Sequence, residues 1–387
     1  MATREKTGSE GASIFHASVR LGRVAGVEVG LNWSWFVIVG LIVASLALQV
    51  FPTQNPGLSD GTYAAMAGAG ALLFFCSLFL HELGHALQAR REGVEIEGIT
   101  LWLFGGVARF KGMFPSPGAE FRIAIAGPLV TLVLGTAFAL GAWLLPLPGA
   151  VDGVVTWLGY VNLFLLAFNM LPALPLDGGR ILRATVWHLR GDFAQATRFA
   201  GALGRVLGQT MIALGVLGAL LYAAPGALWL ALIGWFLTAA ATSEAGLVAA
   251  REALSGLRVA DAMTTEPVLA EAGSTLREFM DGVFAHSRHS AYPVVEEGRV
   301  VGMVSFRSVA AVPPSDWDRL HVADRMEPLA DALVLDEDGA LGDALPELLQ
   351  TSLGRAIVSV EDRPTGLVSL TDVQRLLELR QLTAAGS

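Results

Sequence analysis

The pentapeptide His81-Glu82-Leu83-Gly84-His85 carries the side chains in this sequence that are best suited to chemistry. Positions i and i+4 of a helix share one face, so both imidazoles can bind the same zinc ion. Glu82 stands beside the first imidazole, where it can take a proton from a metal-activated water molecule. The pattern indicates metal-dependent hydrolysis, although five residues alone are only moderately specific.

The chain around this pentapeptide is apolar. The run from Tyr63 to Leu80 leads directly into it and contains no charged residue. A soluble metalloprotease helix would have a polar outer face, whereas a helix that is apolar all round is typical of lipid. We therefore predict that the hydrolysis takes place within a membrane.

The composition of the chain agrees with a membrane protein. Of its 387 residues, 53% are hydrophobic and only 16% are charged, whereas charged residues make up about a quarter of a typical soluble domain. The net charge of −9 comes mainly from the C-terminal part, and it predicts no nucleic-acid partner. Six stretches are long enough to span a bilayer, which takes about 20 residues: Leu31 to Phe51, Tyr63 to Ala89, Phe121 to Leu145, Val154 to Leu171, Val206 to Ala223 and Ala227 to Ala249.

Lysines and arginines predict the orientation of these spans. They occur in residues 4–23, 90–122 and 180–205 and again from residue 251 onward. By the positive-inside rule, the N-terminal segment (residues 1–30) and the C-terminal part are cytoplasmic, and the membrane domain (residues 31–250) is multi-pass. The second and fourth spans then both run toward the cytoplasm. The zinc-binding pentapeptide and the polar segment after the fourth span should therefore lie near the same side.

A zinc site of this kind needs a third protein ligand. Asp177 is the one carboxylate between Asp152 and Arg190, and a carboxylate at membrane depth indicates a functional site. An ion pair between Asp177 and Arg180 at a helix end is the structural alternative. Next to the pentapeptide on a parallel span, Asp177 is favoured as the third ligand of one zinc ion per chain.

The two motifs resemble those of the site-2 protease family of intramembrane zinc metalloproteases. The second motif, N-x-x-P-x-x-P-x-D-G, runs from Asn169 to Gly178. The resemblance implies that His81, His85 and Asp177 bind zinc and that Glu82 is the general base. It also implies that Asn169 holds the substrate backbone or the oxyanion, although a capping or interhelical hydrogen bond explains Asn169 equally well.

The resemblance also implies a substrate class. Members of this family cut a transmembrane segment of another membrane protein, in regulated intramembrane proteolysis. A membrane-tethered transcription regulator or an anti-sigma factor would suit this chain, which would work in contact with the lipid bilayer.

A small β-hairpin is predicted on the cytoplasmic side, between the second and third spans. The segment Val94 to Phe110 is rich in β-branched and aromatic residues, with Gly105-Gly106 at the turn position. Its edge could pair with an unwound substrate by β-augmentation, or the hairpin could serve only for packing. Gly127-Pro128 in the third span is similar to a recurrent feature of the family, or it simply kinks the helix.

The composition changes near Leu257, where charges return and a pattern recurs. The pentapeptide starting at Val259 reappears in related form at Val322. Two such copies, over residues 257–312 and 320–380, resemble a tandem CBS (Bateman-type) module of α/β fold. In total, the sequence predicts a polytopic α-helical membrane protein of six transmembrane helices with a C-terminal CBS pair.

The CBS resemblance implies a cleft for an adenosine nucleotide. Ser369 and Asp372 match the family's G-x-x-[ST]-x-x-D pattern, with the aspartate as the ribose partner, whereas the first copy has Ser308 in place of this aspartate. A nucleotide-free module that mediates homodimerisation is the alternative. CBS pairs also occur in membrane transporters and channels, so a CBS-regulated transporter or channel is the second function class. That class does not predict the two converging motifs.

Overall fold

The computed structural model describes residues 18–103, 105–222, 224–287, 289–351, 353–360 and 363–385. The first seventeen residues of the predicted N-terminal segment lie outside the described ranges. The chain divides into two compact units, a membrane unit ending at Gly246 and a C-terminal unit beginning at Leu247.

Six helices of the described chain are long and apolar enough to cross a membrane. The first span consists of α1, one π-helical turn and α2, and a shorter helix, α6, lies between the fourth and fifth spans. The bounds are α1 (Trp33–Ser45), α2 (Phe51–Gln54), α3 (Asp60–Arg91), α4 (Pro117–Leu144), α5 (Gly149–Asn169), α6 (Asp177–Arg190), α7 (Phe193–Leu221) and α8 (Leu228–Ala253).

The six predicted spans correspond one to one with these six helices. The main difference is the start of the fifth, which was predicted at Val206 and which the structure places at Phe193. The first four turns of α7 carry Arg198 and Arg205, so a search for apolar stretches misses this part of the helix. Asp192 caps this longer helix by accepting a hydrogen bond from the Gln195 amide at 2.8 Å.

Close backbone packing joins α3 to α4. Gly84 lies against α4 so closely that a Cβ atom there would come within 3.1 Å of the Ala126 carbonyl oxygen. Small residues at such crossings let membrane helices approach. At the end of α3, Arg122 of α4 donates two hydrogen bonds of 2.7 Å to Glu92, which hold the pKa of that carboxyl below its usual value. The helix that bears both histidines is therefore fixed against α4.

A four-stranded sheet completes the membrane unit. Its order is β1 (Val19–Val24), β2 (Val27–Leu31), β3 (Glu95–Trp102) and β4 (Gly105–Lys111). The predicted hairpin corresponds to β3 and β4, which pair antiparallel. Strands β1 and β2 were not predicted, and β2 extends the hairpin by parallel pairing with β3. Both β1 and β4 are edge strands, so each leaves one row of backbone groups outside the sheet ladder.

The C-terminal unit contains two sheets of the same design. Each has a parallel two-residue strand beside an antiparallel pair, and its fourth strand comes from the other copy: β5 joins the second sheet and β9 joins the first. The strands are β5 (Thr264–Thr265), β6 (Ala270–Glu271), β7 (Ala291–Glu296), β8 (Arg299–Ser305), β9 (Glu327–Pro328), β10 (Val334–Leu335), β11 (Arg355–Val360) and β12 (Arg363–Ser369). The helices are α9 (Leu276–Glu278), α10 (Ala285–Ser287), α11 (Phe306–Ala310), α12 (Leu341–Gln350) and α13 (Leu370–Ala385).

Candidate metal centre

Helix α3 presents two buried imidazoles on one face. His81 and His85 are 3% and 4% exposed, and their Nε2 atoms lie 3.1 Å apart. The spacing of four residues places the two rings one turn apart, as the sequence predicted. Both Nε2 atoms point to the same location, which is a prerequisite for a shared ligand.

Asp177 brings a carboxylate to these imidazoles from the start of α6. Its two oxygens lie 3.2 Å from His81 Nε2 and 3.3 Å from His85 Nε2. Gly178 and Gly179 allow this approach, because a Cβ atom at either position would overlap the backbone of the segment after α5. The structural alternative, an ion pair between Asp177 and Arg180, does not occur in the part of the chain that the structure describes.

Hydrogen bonds on the far side of each ring determine which nitrogen carries the proton. His85 Nδ1 lies 2.7 Å from the Ile123 carbonyl oxygen, which can only accept, so this nitrogen is the donor. His81 Nδ1 lies 2.8 Å from Thr131 Oγ1, and that hydroxyl donates to the Gly127 carbonyl. A neutral imidazole that donates from Nδ1 has its lone pair on Nε2, so both lone pairs point toward Asp177. Such outer partners are typical of metal-bound histidines.

The inward-facing atoms fit a divalent metal ion. They are two Nε2 atoms 3.1 Å apart and two Asp177 oxygens, one 3.2 Å from His81 Nε2 and the other 3.3 Å from His85 Nε2. All of them are acceptors, so they repel one another unless a cation or a proton lies between them. Zinc bonds of about 2.0–2.1 Å in tetrahedral geometry place ligand atoms roughly 3.3 Å apart. On α4, Gly127 leaves the adjacent space open, because a Cβ atom there would overlap Nε2 of both histidines. Among the described residues, this is the one group of three that could hold a metal ion.

A cavity of about 490 Å³ opens beside this group. Glu82 and Asn169, two residues that the sequence selected for catalytic or binding roles, both line it. Glu82 lies against strand β4, because a Cβ atom at Gly106 would overlap the Glu82 side chain. The cavity therefore places a carboxylate, an amide and the metal group along one surface.

Comparison with known proteins identifies the family. The model of peptidase family M50 matches residues 69–148 and 145–214, and the CBS domain model matches residues 259–315. Rip3 of Mycobacterium tuberculosis, which bears the name of a zinc metalloprotease, is 38% identical over 94% of this chain and 94% of its own length. The chain belongs to peptidase family M50.

Two further proteins named as proteases are similar to this chain. The Synechocystis protein sll0528, also named as a zinc metalloprotease, is 32% identical over 97% of this chain and 99% of its own length. The solved site-2 protease from Methanocaldococcus jannaschii is 29% identical, covers 59% of this chain and 94% of that one, and has a TM-score of 0.42. Membership of M50 makes this chain a multi-pass membrane metalloprotease and removes the transporter or channel alternative.

Several residues around the M50 site were not predicted for their roles. Thr131 and Ile123 orient the imidazoles, yet neither residue type carries a metal-site signal. Gly127 was noted only as a family feature or a kink, whereas the structure places it directly against both rings. These roles depend on how α4 packs on α3, and sequence spacing does not reveal that packing.

The residues selected for the nucleotide lie in the C-terminal unit. The Ser369 hydroxyl donates to Asp372 Oδ2 at 2.5 Å, and the Ser369 amide donates to the same oxygen at 3.1 Å. In the first copy, Ser305 accepts from the Ser308 amide at 3.0 Å. The structure therefore joins Ser369 and Asp372 at the start of α13, where their mutual bonds cap the helix.

Proposed function

We propose that His81, His85 and Asp177 bind the catalytic zinc ion of this M50 peptidase and that Glu82 is its general base. The observation that carries the proposal is the convergence of acceptors from three side chains: the two Nε2 atoms lie 3.1 Å apart, and each is 3.2 to 3.3 Å from one Asp177 oxygen. The Nδ1 donors of both imidazoles are directed elsewhere. A zinc ion bound there would act as a Lewis acid and would lower the pKa of water to about 7.

The other steps are assigned to the protein's own side chains. Glu82 follows the first histidine and lines the cavity, so it accepts the proton of the attacking water. It then passes this proton to the amine nitrogen that leaves when the peptide bond breaks. Packing against Gly106 limits the positions that the Glu82 side chain can take. Asn169, at the end of α5, donates from its amide to the oxygen of the scissile carbonyl.

The substrate is a transmembrane segment of another protein, presented in extended form. A helical segment hides its carbonyl groups in its own hydrogen bonds, so it has to unwind before attack. Strand β4 lines the cavity with its Gly105–Ala108 stretch and is an edge of the sheet. Its backbone can pair with the unwound segment by β-augmentation. Membrane-tethered transcription regulators and anti-sigma factors have the required single span.

The orientation follows from the distribution of charge. Arg90 and Arg91 end α3, five and six residues after His85, and the positive-inside rule assigns that end to the cytoplasm. The N-terminal segment and the CBS pair are cytoplasmic as well. Cleavage near this side would release a cytosolic fragment of the substrate.

The CBS pair regulates the peptidase in this proposal. Ser369 and Asp372 receive the ribose of an adenosine nucleotide in the second copy, and Ser308 leaves the first copy without the matching carboxylate. Removing the CBS pair should change the response of proteolysis to ATP. Equal activity with and without ATP, before and after its removal, would show that the pair does not sense nucleotide.

Metal analysis tests the assignment of the ligands. The full chain purified in detergent should contain one zinc ion per molecule, and Glu82→Gln should contain the same amount. The double variant His81→Ala with Asp177→Ala should contain none. Full zinc content in the double variant would refute the assignment.

A proteomic comparison then identifies the substrate. Cells carrying wild-type protein and cells carrying Glu82→Gln should differ in one or a few single-span membrane proteins, which accumulate uncut in the variant. Identical membrane proteomes, with both proteins expressed equally and loaded with zinc, would contradict the proposed proteolysis.

A further inference from the structure

The catalytic cavity contains one cationic side chain that the mechanism does not use. Most of the described residues that line the cavity are aliphatic or aromatic, on α1, α3, β4, α5, α7 and α8. Apart from the metal group, Glu82 and two tryptophans, the polar side chains are those of Asn169 and Arg180. A positive charge in such an apolar cavity is costly unless it has a partner.

Arg180 lies one helical turn after Asp177 on α6. Residues three apart share a helix face, so its side chain starts on the same side as the metal ligand. Its Nε atom is buried and has no hydrogen-bond partner within the described part of the chain. A buried donor without a partner is destabilising, and more so when it is charged. The unpaired Nε donor of Arg180 therefore indicates a hydrogen-bond acceptor that comes from another molecule.

The structure also offers Arg180 a purely structural role. Its charge lies close enough to Glu120 and Glu244 to attract both carboxylates. Attraction of this kind requires only a positive charge, so a lysine would supply it. It does not explain why the guanidinium borders the cavity or why its Nε donor is left unpaired.

The substrate supplies the missing acceptors. When a transmembrane segment unwinds, each of its carbonyl groups loses a helical hydrogen bond, and an unpaired carbonyl group in apolar surroundings is strongly unfavourable. Strand β4 can pair with only one side of an extended segment. A guanidinium has five N–H donors in a planar fork, which suits adjacent carbonyl oxygens.

We infer that Arg180 binds the substrate, donating hydrogen bonds from its guanidinium to backbone carbonyl oxygens of the extended segment beside the scissile bond. The inference rests on the proposed function, because it takes the cavity next to the metal group as the place of cleavage. Arg180 is then a second substrate-binding side chain on the metal-ligand helix, and it recognises the backbone of the substrate rather than its sequence.

Two hydroxamates test this inference without the natural substrate. Acetohydroxamate contacts only the metal, whereas an N-acetyl-dileucyl hydroxamate adds two backbone carbonyl groups beside it. The affinity of each is measured by calorimetry with the full chain in detergent. The variants are Arg180→Gln, Arg180→Lys and the matched control Arg190→Gln, which changes an exposed arginine at the end of the same helix.

The expected result is selective. Arg180→Gln should weaken the dileucyl hydroxamate by roughly ten- to a hundredfold, the equivalent of one or two charge-assisted hydrogen bonds, and should leave acetohydroxamate unchanged. Arg180→Lys keeps the charge near Glu120 and Glu244, so it should fold normally and still weaken the dileucyl compound. Arg190→Gln should bind both compounds as the wild type does.

Three outcomes would overturn the inference. If Arg180→Lys binds the dileucyl compound as tightly as the wild type, the side chain contributes only its charge. If Arg180→Gln lowers the affinity for both hydroxamates by the same factor, Arg180 acts on the metal group and not on the substrate. If wild-type protein contains zinc but gains nothing from the two added residues, the cavity does not bind the substrate backbone. A wild-type protein without zinc would instead refute the proposed function.

Discussion

Two buried polar clusters in the membrane unit share helix α6, but only one of them contains a cationic side chain. The metal cluster consists of His81, His85 and Asp177, and the atoms that face one another in it are all acceptors. The ion cluster consists of Arg183, Glu120 and Glu244, in which a cation lies between two carboxylates. Acceptors that face only one another call for an added cation, whereas the charge of Arg183 is compensated by carboxylates of the chain itself.

The ion cluster joins three helices. Arg183 donates from Nε to Glu120 of α4 at 2.7 Å and from a terminal nitrogen to Glu244 of α8 at 2.5 Å. The Arg183 and Glu120 side chains are almost completely buried, whereas Glu244 is 26% exposed. The comparison teaches that burial and charge alone do not mark a catalytic site. The distinguishing property is that the ion cluster contains its own cation, whereas the metal cluster consists of acceptors alone.

The largest effect should come from filling the space between the imidazoles. Gly127→Ala places a methyl group against Nε2 of both histidines, so we expect loss of zinc and of all measurable proteolysis. Zinc loss is measured by metal analysis, and proteolysis by cleavage of the membrane protein that accumulates in cells carrying Glu82→Gln. Gly141→Ala, on the same helix, meets its nearest neighbour only at 3.8 Å and should retain both properties. Full zinc content in Gly127→Ala would mean that the ion does not lie between these nitrogens.

The second largest effect should separate proton transfer from metal binding. Gly106→Ala puts a methyl group where the Glu82 side chain packs, so the carboxylate has to move. General acid–base catalysis contributes about 10²–10⁴-fold, and a fall in kcat within that range is expected with zinc content unchanged. Glu82→Gln is the reference variant, because it should retain zinc and lose the proton transfer that Glu82 performs. Loss of zinc from Gly106→Ala would contradict the separate roles of Glu82 and the metal cluster.

The sequence predicted the metal cluster because its signal is local. Two histidines one turn apart and a lone carboxylate in an apolar setting are visible in the sequence itself, and so are six apolar runs. The ion cluster left no such signal. Glu120, Arg183 and Glu244 lie on three helices, far apart along the chain, and each resembles an ordinary interfacial charge until the helices pack.

The same reasoning explains the strands that were missed. Strand β1 is exposed along its whole length, so it lacks the alternation of buried and exposed residues that marks a half-buried strand. Besides β1, strand β2 pairs with β3, which follows two membrane spans later. Pairing over that separation depends on the fold, and no local pattern encodes it.

A smaller effect is expected from the outer partner of His81. Thr131→Val removes the hydroxyl that accepts from His81 Nδ1 at 2.8 Å, while the ligand itself remains. Loss of such partners typically costs 10–100-fold in metal affinity, which a zinc chelator competition would measure. Thr131→Ser keeps the hydroxyl and should bind zinc as the wild type does. Equal affinity in the valine variant would show that the ring needs no outer partner here.

The smallest effect on catalysis should come from the ion cluster, even though its effect on stability is large. Arg183→Met leaves Glu120 buried without its cation, and breaking such a pair costs roughly 3–5 kcal/mol. The melting temperature in detergent should fall clearly, while Arg190→Met, an exposed change on the same helix, should leave it unchanged.

The decisive measurement for this cluster is activity per bound zinc. Arg183 stabilises the packing of α4, α6 and α8, and it has no contact with a metal ligand among the described hydrogen bonds and ion pairs. Molecules of Arg183→Met that stay folded and loaded should therefore cleave at nearly the wild-type rate per zinc. A stable variant with impaired cleavage would show that the two clusters act together through α6. The presence of a cation within the ion cluster would then no longer mark it as purely structural.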